Sequence, residues 1–275
     1  MTLLSIIIPN YNYGCFADRF FGSLAAQSMP LADVEVIFVD DGSSDDSLEQ
    51  ARKWSGRVAC RDFKILTPPR SGKPGPVRNR GLETATGKYL LSFDPDDEME
   101  PEFLLCCVKS LDSNPSVSVV YTDYYEASPV GKSYCSLPDF NPVHLRTQNI
   151  LPTTAMYRRE LWESGVRYRD NTSYEDWDYW VQCLIAGGRF KHIAEPLYTH
   201  HFHDANFSQH AEKEDGVAKA HIVLNNPGFF HRAVQVWAKD HLRGRAHAPS
   251  FTRGYIPTNE DLAKLSDLIS KGGIF

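Results

Sequence analysis

Residues 34–46 read VEVIFVDDGSSDD, and this stretch decides the fold. Val34 to Val39 is a nearly unbroken apolar run of strand length, too short for a buried helix. It stops in an acidic turn, Asp40 to Asp46, and a helix then runs to about Trp54, capped by Ser44 or Asp45. Strand, turn and helix in that order make half of a βαβ unit. The same rhythm extends to both sides. Upstream, Leu3–Pro9 reads as a strand and Phe16–Gln27 as a helix. Downstream come a strand at Phe63–Thr67, a Pro/Gly/basic loop from Pro68 to Pro76, and a helix from about Val77 to Thr84. A strand at Lys88–Phe93 follows, then DPDD at 94–97, a helix opened by Pro101, and a strand at Val117–Thr122. Apolar strands alternating with helices predict a parallel, doubly wound sheet covered on both faces. Ligands of such sheets bind beyond the carboxyl ends of the strands, and here two of those ends carry aspartate clusters.

The second half is less regular. Residues 123–147 form a long polar and aromatic stretch with little periodicity, which suits a functional segment. A strand at Thr153–Arg158, a helix at Ser173–Ala186, and strand and turn at Phe190–His203 follow. The remainder reads as helices at Glu212–Leu224, Phe229–Leu242 and Thr258–Ile269.

Composition excludes several classes. The 275 residues are 42% hydrophobic, enough for a full core, so global disorder is ruled out. The net charge of −6 argues against a nucleic-acid partner, which needs a basic surface. The apolar start ends at Pro9 without a basic leader, and no run approaches membrane-spanning length. That predicts a cytoplasmic protein, or one peripheral at the inner face of a membrane. Six cysteines without metal-site spacing read as buried, reduced thiols.

Five constellations carry candidate chemistry. Asp94 and Asp96, two residues apart after an apolar strand, can share a hard divalent cation with phosphate oxygens, although aspartate also suits a turn there. Asp40 and Asp41 can accept hydrogen bonds from a base or ribose, or form a solvated turn. RSGKPGPVRNRG at 70–81 offers glycines for close approach and Lys73 and Arg78 for phosphate, without P-loop spacing. YEDWDYW at 174–180 sets Glu175, Asp176 and Asp178 among aromatics whose surfaces raise a carboxylate's pKa, as a general base requires. Some of these residues must face the core instead. HHFHD at 200–204 supplies histidines for metal or phosphate. His201 and His203 would share one face of a strand.

Taken in order, SIIIPNYN (5–12), VDDGSSD (39–45), RNRGLETATG (78–87), FDPDD (93–97) and EDW (175–177) resemble the family 2 glycosyltransferases of GT-A fold. The resemblance covers about residues 3–210. It implies an α/β fold of Rossmann-like type, with a mostly parallel sheet flanked by helices and a C-terminal helical extension. It divides the chain into a nucleotide-sugar half to about 123, an acceptor half from 124 to 210, and the extension from 211 to 275. It implies inverting transfer from a nucleotide-diphosphate sugar, UDP-linked by default, with Mn²⁺ or Mg²⁺. By position, Pro9, Tyr11 and Asn12 flank the base, Asp41 accepts from it, and Asp40 supports the turn. Lys73 and Arg78 sit near the nucleotide. Asp94 and Asp96 match the Asp-x-Asp pair, with Asp96 the direct metal ligand and His203 a weaker one. Asp176 matches the catalytic base, with Glu175 beside it. Pro95 departs from the small residue usual there and removes an N–H from the turn.

A sugar nucleotidyltransferase and a non-catalytic nucleotide- or carbohydrate-binding module stay open as alternatives. The implied acceptor is a sugar, a lipid-linked sugar or another hydroxyl. The C-terminal helices can pack on the domain, form a homodimer, or touch a membrane through the short basic patch at Lys239 to Arg245.

Overall fold

A computed structural model describes residues 1–203 and 214–270. Its first half is a run of βα units: β1 (Leu4–Asn10), α1 (Ala17–Ala25), β2 (Val34–Asp40), α2 (Ser47–Ser55), β3 (Asp62–Leu66), α3 (Pro74–Thr84) and β4 (Tyr89–Ser92). These four strands lie parallel in the order β3-β2-β1-β4. The chain winds outward from β1 to β3, then α3 returns it to the other side of β1. The crevice between β1 and β4 is therefore the topological switch point.

Next come β5 (Glu98–Met99), α4 (Phe103–Ser113), β6 (Val119–Ser128), β7 (Gly131–Cys135), α5 (Pro142–Thr147), β8 (Met156–Arg158), α6 (Arg159–Glu163), α7 (Glu175–Ile185) and β9 (Phe190–His201). They extend the sheet to β4-β8-β6-β9-β5, with β7 paired to β6. The long β6–β9 ladder is parallel, and the shorter β4–β8, β6–β8, β5–β9 and β6–β7 ladders are antiparallel. The sheet is mixed but mostly parallel, as the strand–helix alternation predicts.

Strand periodicity divides the core in two. Ile7, Ile37, Val39 and Leu90 point to the α3 face, where they meet Val77, Leu82 and Trp180. Ile6, Ile8, Val36, Phe38 and Leu91 point to the opposite face and pack on Phe20, Phe21 and Leu104. Burial on both faces is why the strands read as continuous apolar runs. Helix α3 lies tight on the sheet because of Gly81. A Cβ there would stand 2.5 Å from Ile7 Cγ2 and 3.1 Å from Val39 Cγ2.

Four local expectations are corrected. The helix after the Asp-x-Asp turn starts at Phe103, not Pro101. The Pro101 carbonyl instead accepts the Ser28 N–H at 2.9 Å, and a tight Glu100–Phe103 turn precedes the helix. The bond at the start of α2 comes from Asp45, whose Oδ1 accepts the Ser47 N–H at 3.0 Å, while Asp46 occupies the cap position. Residues 123–147 are structured: β6 continues to Ser128, turns into β7, and α5 follows, capped by Asn141. Their pairing comes from β9, not from periodicity of their own. Of the six free thiols, Cys107 and Cys183 are buried and Cys15 is exposed.

The chain ends in α8 (Asp215–Asn225), α9 (Arg232–Leu242) and α10 (Asn259–Ser270). Ile222, Val223, Val234 and Trp237 join the same apolar cluster as Trp177 and Trp180, so α8 and α9 pack on the domain. The boundary expected near residue 210 lies outside the described residues. Among the described residues no helix is long and apolar enough to cross a membrane.

Two glycines make opposite predictions. Gly81→Ala forces Ile7 and Val39 apart and should cost about 1–3 kcal/mol, the usual range for overpacking. At Gly22, in the middle of α1, an added Cβ would meet nothing within 4 Å. Gly22→Ala should stabilise by about 0.5–1 kcal/mol through helix propensity. Urea midpoints of the two variants check the pair. Equal midpoints would refute the close α3–β1 contact.

Candidate functional site

The carboxyl ends of β1 and β2 are tied by side chains. Asp40 Oδ1 accepts Asn10 Nδ2 at 2.9 Å and Ser43 Oγ at 2.5 Å, and its Oδ2 accepts Ser43 N at 2.9 Å. Asn12 takes positive φ, 57°, a conformation that asparagine tolerates better than most residues. Its N–H donates to Ser43 Oγ and its Oδ1 accepts the Ser44 N–H at 2.8 Å. Asp41 faces the basic loop: Oδ1 accepts Ser71 N at 2.6 Å and Oδ2 accepts Gly72 N at 2.7 Å. The loop is thereby drawn over the strand ends, with the Arg70 guanidinium 4.2 Å from the ring centre of Tyr11. Pro9 is buried in the ladder opposite Val39. Lys73 Nζ donates to the Asp170 carbonyl at 2.5 Å.

Beyond β4 the acidic turn meets three other elements. Arg78, on α3 and almost wholly buried, donates from Nη2 to Asp94 Oδ1 at 2.8 Å and from Nη1 to Glu175 Oε1 at 2.6 Å. One guanidinium thus joins the Asp-x-Asp turn to the first turn of α7. Asp176 is the next residue, half-buried. Its Oδ2 accepts Asn149 Nδ2 at 2.9 Å and its Oδ1 accepts the Trp177 N–H at 2.8 Å. Burial raises the pKa of Asp176, against the opposing pull of those bonds and of Arg78. Burial likewise lifts Glu175 to about 7, with the charge of Arg78 pulling the other way.

Asp96 is buried, and burial together with the charges of Asp97 and Asp94 pushes it up to about 8. His203 Nε2 lies 3.1 Å from its Oδ2. Burial and the Arg19 charge lower the His203 pKa, which leaves the imidazole neutral at pH 7, the form that ligates metals. Asp97 binds the end of β9, with His200 Nδ1 at 2.9 Å and the His201 N–H at 3.0 Å from its Oδ1. Burial opposes protonation of His200, but contact with Asp97 wins and raises it to about 9. His201 and His203 do not act together: His201 Nε2 is 3.4 Å from Glu98 and His203 turns to Asp96. Among the described residues no group of three His, Cys, Asp or Glu side chains could hold a metal alone. The donors brought together, the Asp96 carboxyl and the His203 imidazole, suit a hard ion only if it takes most of its ligands from phosphate and water.

The family model for glycosyl transferase family 2 matches residues 5–176. The chain belongs to that family. It is 27% identical over 244 residues to the chondroitin synthase of Pasteurella multocida, covering 87% of this chain and 24% of that one. It is 27% identical over 203 residues to the poly(ribitol-phosphate) β-N-acetylglucosaminyltransferase TarS of Staphylococcus aureus, covering 72% of this chain and 35% of TarS. The chain therefore spans about a quarter to a third of these curated relatives. Among solved structures, TarS residues 1–349 with UDP-GlcNAc superposes with a TM-score of 0.67 at 21% identity, over 90% of this chain and 74% of that one. A Pyrobaculum calidifontis mannosyltransferase with GDP-Man and Mn²⁺ gives 0.63 at 17% identity, over 98% and 79%. The fold is GT-A.

Several neighbours of this site have no local sequence signal. Asn149 and Thr153, the latter 3.5 Å from Asp176 Oδ2, come from the stretch around α5 and β8. Arg19, on α1, donates to the Asp96 carbonyl, and Phe16 packs on His203 with ring centres 4.7 Å apart.

The raised carboxylates fix the sign of a pH effect. Between their ordinary values near 4 and their native values near 7 and 8, Glu175 and Asp96 hold protons that the unfolded chain releases. Their contribution to stability is full below the unfolded values and lost as pH rises through the native ones. In chelator-treated protein the melting temperature should fall from about pH 5 to about pH 8.5, and Asp96→Asn should flatten that slope. A slope of equal steepness in the variant would show that Asp96 is not held protonated.

Proposed function

We propose that this protein transfers a sugar, with inversion, from a nucleotide-diphosphate sugar to an acceptor hydroxyl. A UDP-linked donor is favoured, and synthesis of a polysaccharide, cell-surface glycan or glycoconjugate is the fitting setting. The observation that carries the reading is the bridge from Arg78 to both Asp94 and Glu175, because it joins the Asp-x-Asp turn to the first turn of α7, where Asp176 stands. TarS bound to UDP-GlcNAc supports the UDP-linked donor at the level of fold.

In this reading the nucleoside lies over the ends of β1 and β2. Tyr11 and Asn12 flank the base above the buried Pro9, Asp40 keeps the turn in place, and Asp41 would accept from the base only by giving up a bond to the 71–72 loop. Arg78 acts through Asp94 and Glu175, and Lys73 would have to leave the Asp170 carbonyl to reach the diphosphate. Asp96 and His203 would hold a Mn²⁺ or Mg²⁺ ion together with phosphate oxygens, with Asp94 beside them on Arg78, and the ion would supply charge neutralisation for the departing diphosphate. The acceptor oxygen attacks the anomeric carbon from the face opposite the diphosphate. The bond from that carbon to the diphosphate oxygen breaks, and its electron pair leaves with the nucleoside diphosphate. Asp176 takes the acceptor proton, and its raised pKa suits a base near neutral pH. Glu175, tied to Arg78, keeps the base's helix in register with the Asp-x-Asp turn.

Asp176→Asn should fold, bind UDP with Mn²⁺ as the wild type does, and lose about 10²–10⁴-fold in turnover, the usual worth of a general base. Initial rates of nucleotide release over a panel of UDP-sugars check this, with the anomeric configuration of the product read by NMR. Wild-type rates in the variant would dismiss Asp176 as the base. A product of retained configuration would dismiss inversion.

A further inference from the structure

Resting on that reading of Asp176, we infer that the C-terminal helix α8 is the positioning element of the catalytic helix, acting through Asp215 on Tyr174 and through Asn226 on Asp178. The family model stops at residue 176, so these residues lie beyond its match, apart from Tyr174.

The argument starts from what holds the first turn of α7. Tyr174 is its cap residue, two before Asp176, and has no side-chain capping bond of its own. The Tyr174 hydroxyl instead donates to Asp215 Oδ1 at 2.8 Å. Asp215 is buried and saturated: Oδ1 also accepts the Gly254 N–H at 2.8 Å, and Oδ2 pairs with Lys219 Nζ at 2.6 Å. Lys219 is fully buried, and its remaining donors reach the carbonyls of Phe251 and Thr252 at 3.2 and 3.0 Å. Two residues after Asp176, the buried Asp178 accepts Asn226 Nδ2 at 2.7 Å and Arg169 Nη1 at 3.0 Å. Thr172 Oγ1 donates to the Ala218 carbonyl at 3.1 Å. The base is therefore flanked on both sides by polar ties to one later helix and its C-cap.

A buried ion pair is weak evidence for stability, since apolar residues of similar volume often do as well. Its distinctive property is direction. Apolar packing of α8 on α7 would tolerate a small slide, whereas Asp215 and Asn226 fix residues 174 and 178 at atoms on opposite sides of Asp176. A base must sit within about 0.5 Å of its productive place, and an error of about 1 Å can cost about 10²-fold.

The test uses the full chain and removes single polar atoms. Tyr174→Phe deletes only the hydroxyl, and Asp215→Asn keeps the shape of the carboxylate. Both are measured well below their melting points, alongside Asp176→Asn, by hydrolysis and transfer with UDP-N-acetylglucosamine, UDP-glucose and UDP-glucuronate. The expected result for Tyr174→Phe is a kcat lowered about tenfold, with donor KM and UDP–Mn²⁺ affinity unchanged. Asp215→Asn, which can still accept from Tyr174, should retain more of the rate than Asp215→Ala. A merely structural role moves the melting temperature and leaves kcat alone; that outcome overturns the inference, as does a loss confined to KM. If Asp176→Asn itself keeps full turnover, the assignment of the base has failed instead. A dead Asp176→Asn beside a fully active Tyr174→Phe discards α8 alone.

Discussion

The site depends on one guanidinium. Arg78 is buried on α3, and its two terminal nitrogens are spent on carboxylates that belong to different parts of the chain. Asp94 follows β4, and Glu175 begins α7, 97 residues from Arg78 in sequence. A buried arginine needs partners to offset its lost hydration, and the planar fork can serve two acids at a fixed separation. The distance between the Asp-x-Asp turn and the first turn of α7 is therefore set by covalent geometry within one side chain. The charges do not balance around it. Asp96 and Asp97 lie beside Asp94, and Asp176 lies beside Glu175, with His200 the nearby group held positive. Burial and that crowding push Asp96 and Glu175 up, so both hold protons over part of the range that a bound cation would make them release.

Three carboxylates on the first turns of α7 show how position divides labour. All of them face the helix's positive end, which favours anions. Successive residues on a helix point about 100° apart, so each meets different partners. Glu175 turns inward to Arg78, Asp176 toward the crevice and Asn149, and Asp178 toward Arg169 and Asn226. Sequence density at 174–180 marks the segment as unusual, but only the helical rotation separates an ion-pair partner, the proposed base and an anchor.

What the sequence makes legible is what is local. β1, β2 and β4 show themselves by continuous apolar runs, and the acid clusters that follow β2 and β4 mark the ligand-binding edge. The hairpin at β6–β7 does not show itself. Its register is set by Asp123, wholly buried and accepting from Tyr134 Oη at 2.5 Å and Leu137 N at 2.7 Å, with His192 Nε2 2.7 Å away on β9. No periodicity announces such a knot, because its donors come from segments 11 to 69 residues away. Asn149 is hidden for the same reason, being an ordinary polar residue until α5 and α7 pack. The Arg78–Glu175 contact is equally non-local, although both residues stand inside motifs that are conspicuous on their own.

Comparison of the two ends of the sheet separates satisfied acids from raised ones. At the amino end Glu35 is buried near the start of β2, yet its pKa lies at about 2. Burial pushes it up, but Lys64 Nζ at 2.8 Å, Ser5 Oγ at 2.6 Å and Thr86 supply more donors than it needs. At the carboxyl end the same chemical group behaves in the opposite way: Asp96 rises to about 8 and Glu175 to about 7. Arg78 even leaves its buried Nε without a partner among the described residues. For these acids the sign follows whether donors outweigh burial. The first end is satisfied as folding leaves it, and the second is short of positive charge and donors until something binds. Perturbed acids gathered in a cleft are a mark of function rather than of packing. Here they coincide with the switch point at which the topology alone would place a ligand.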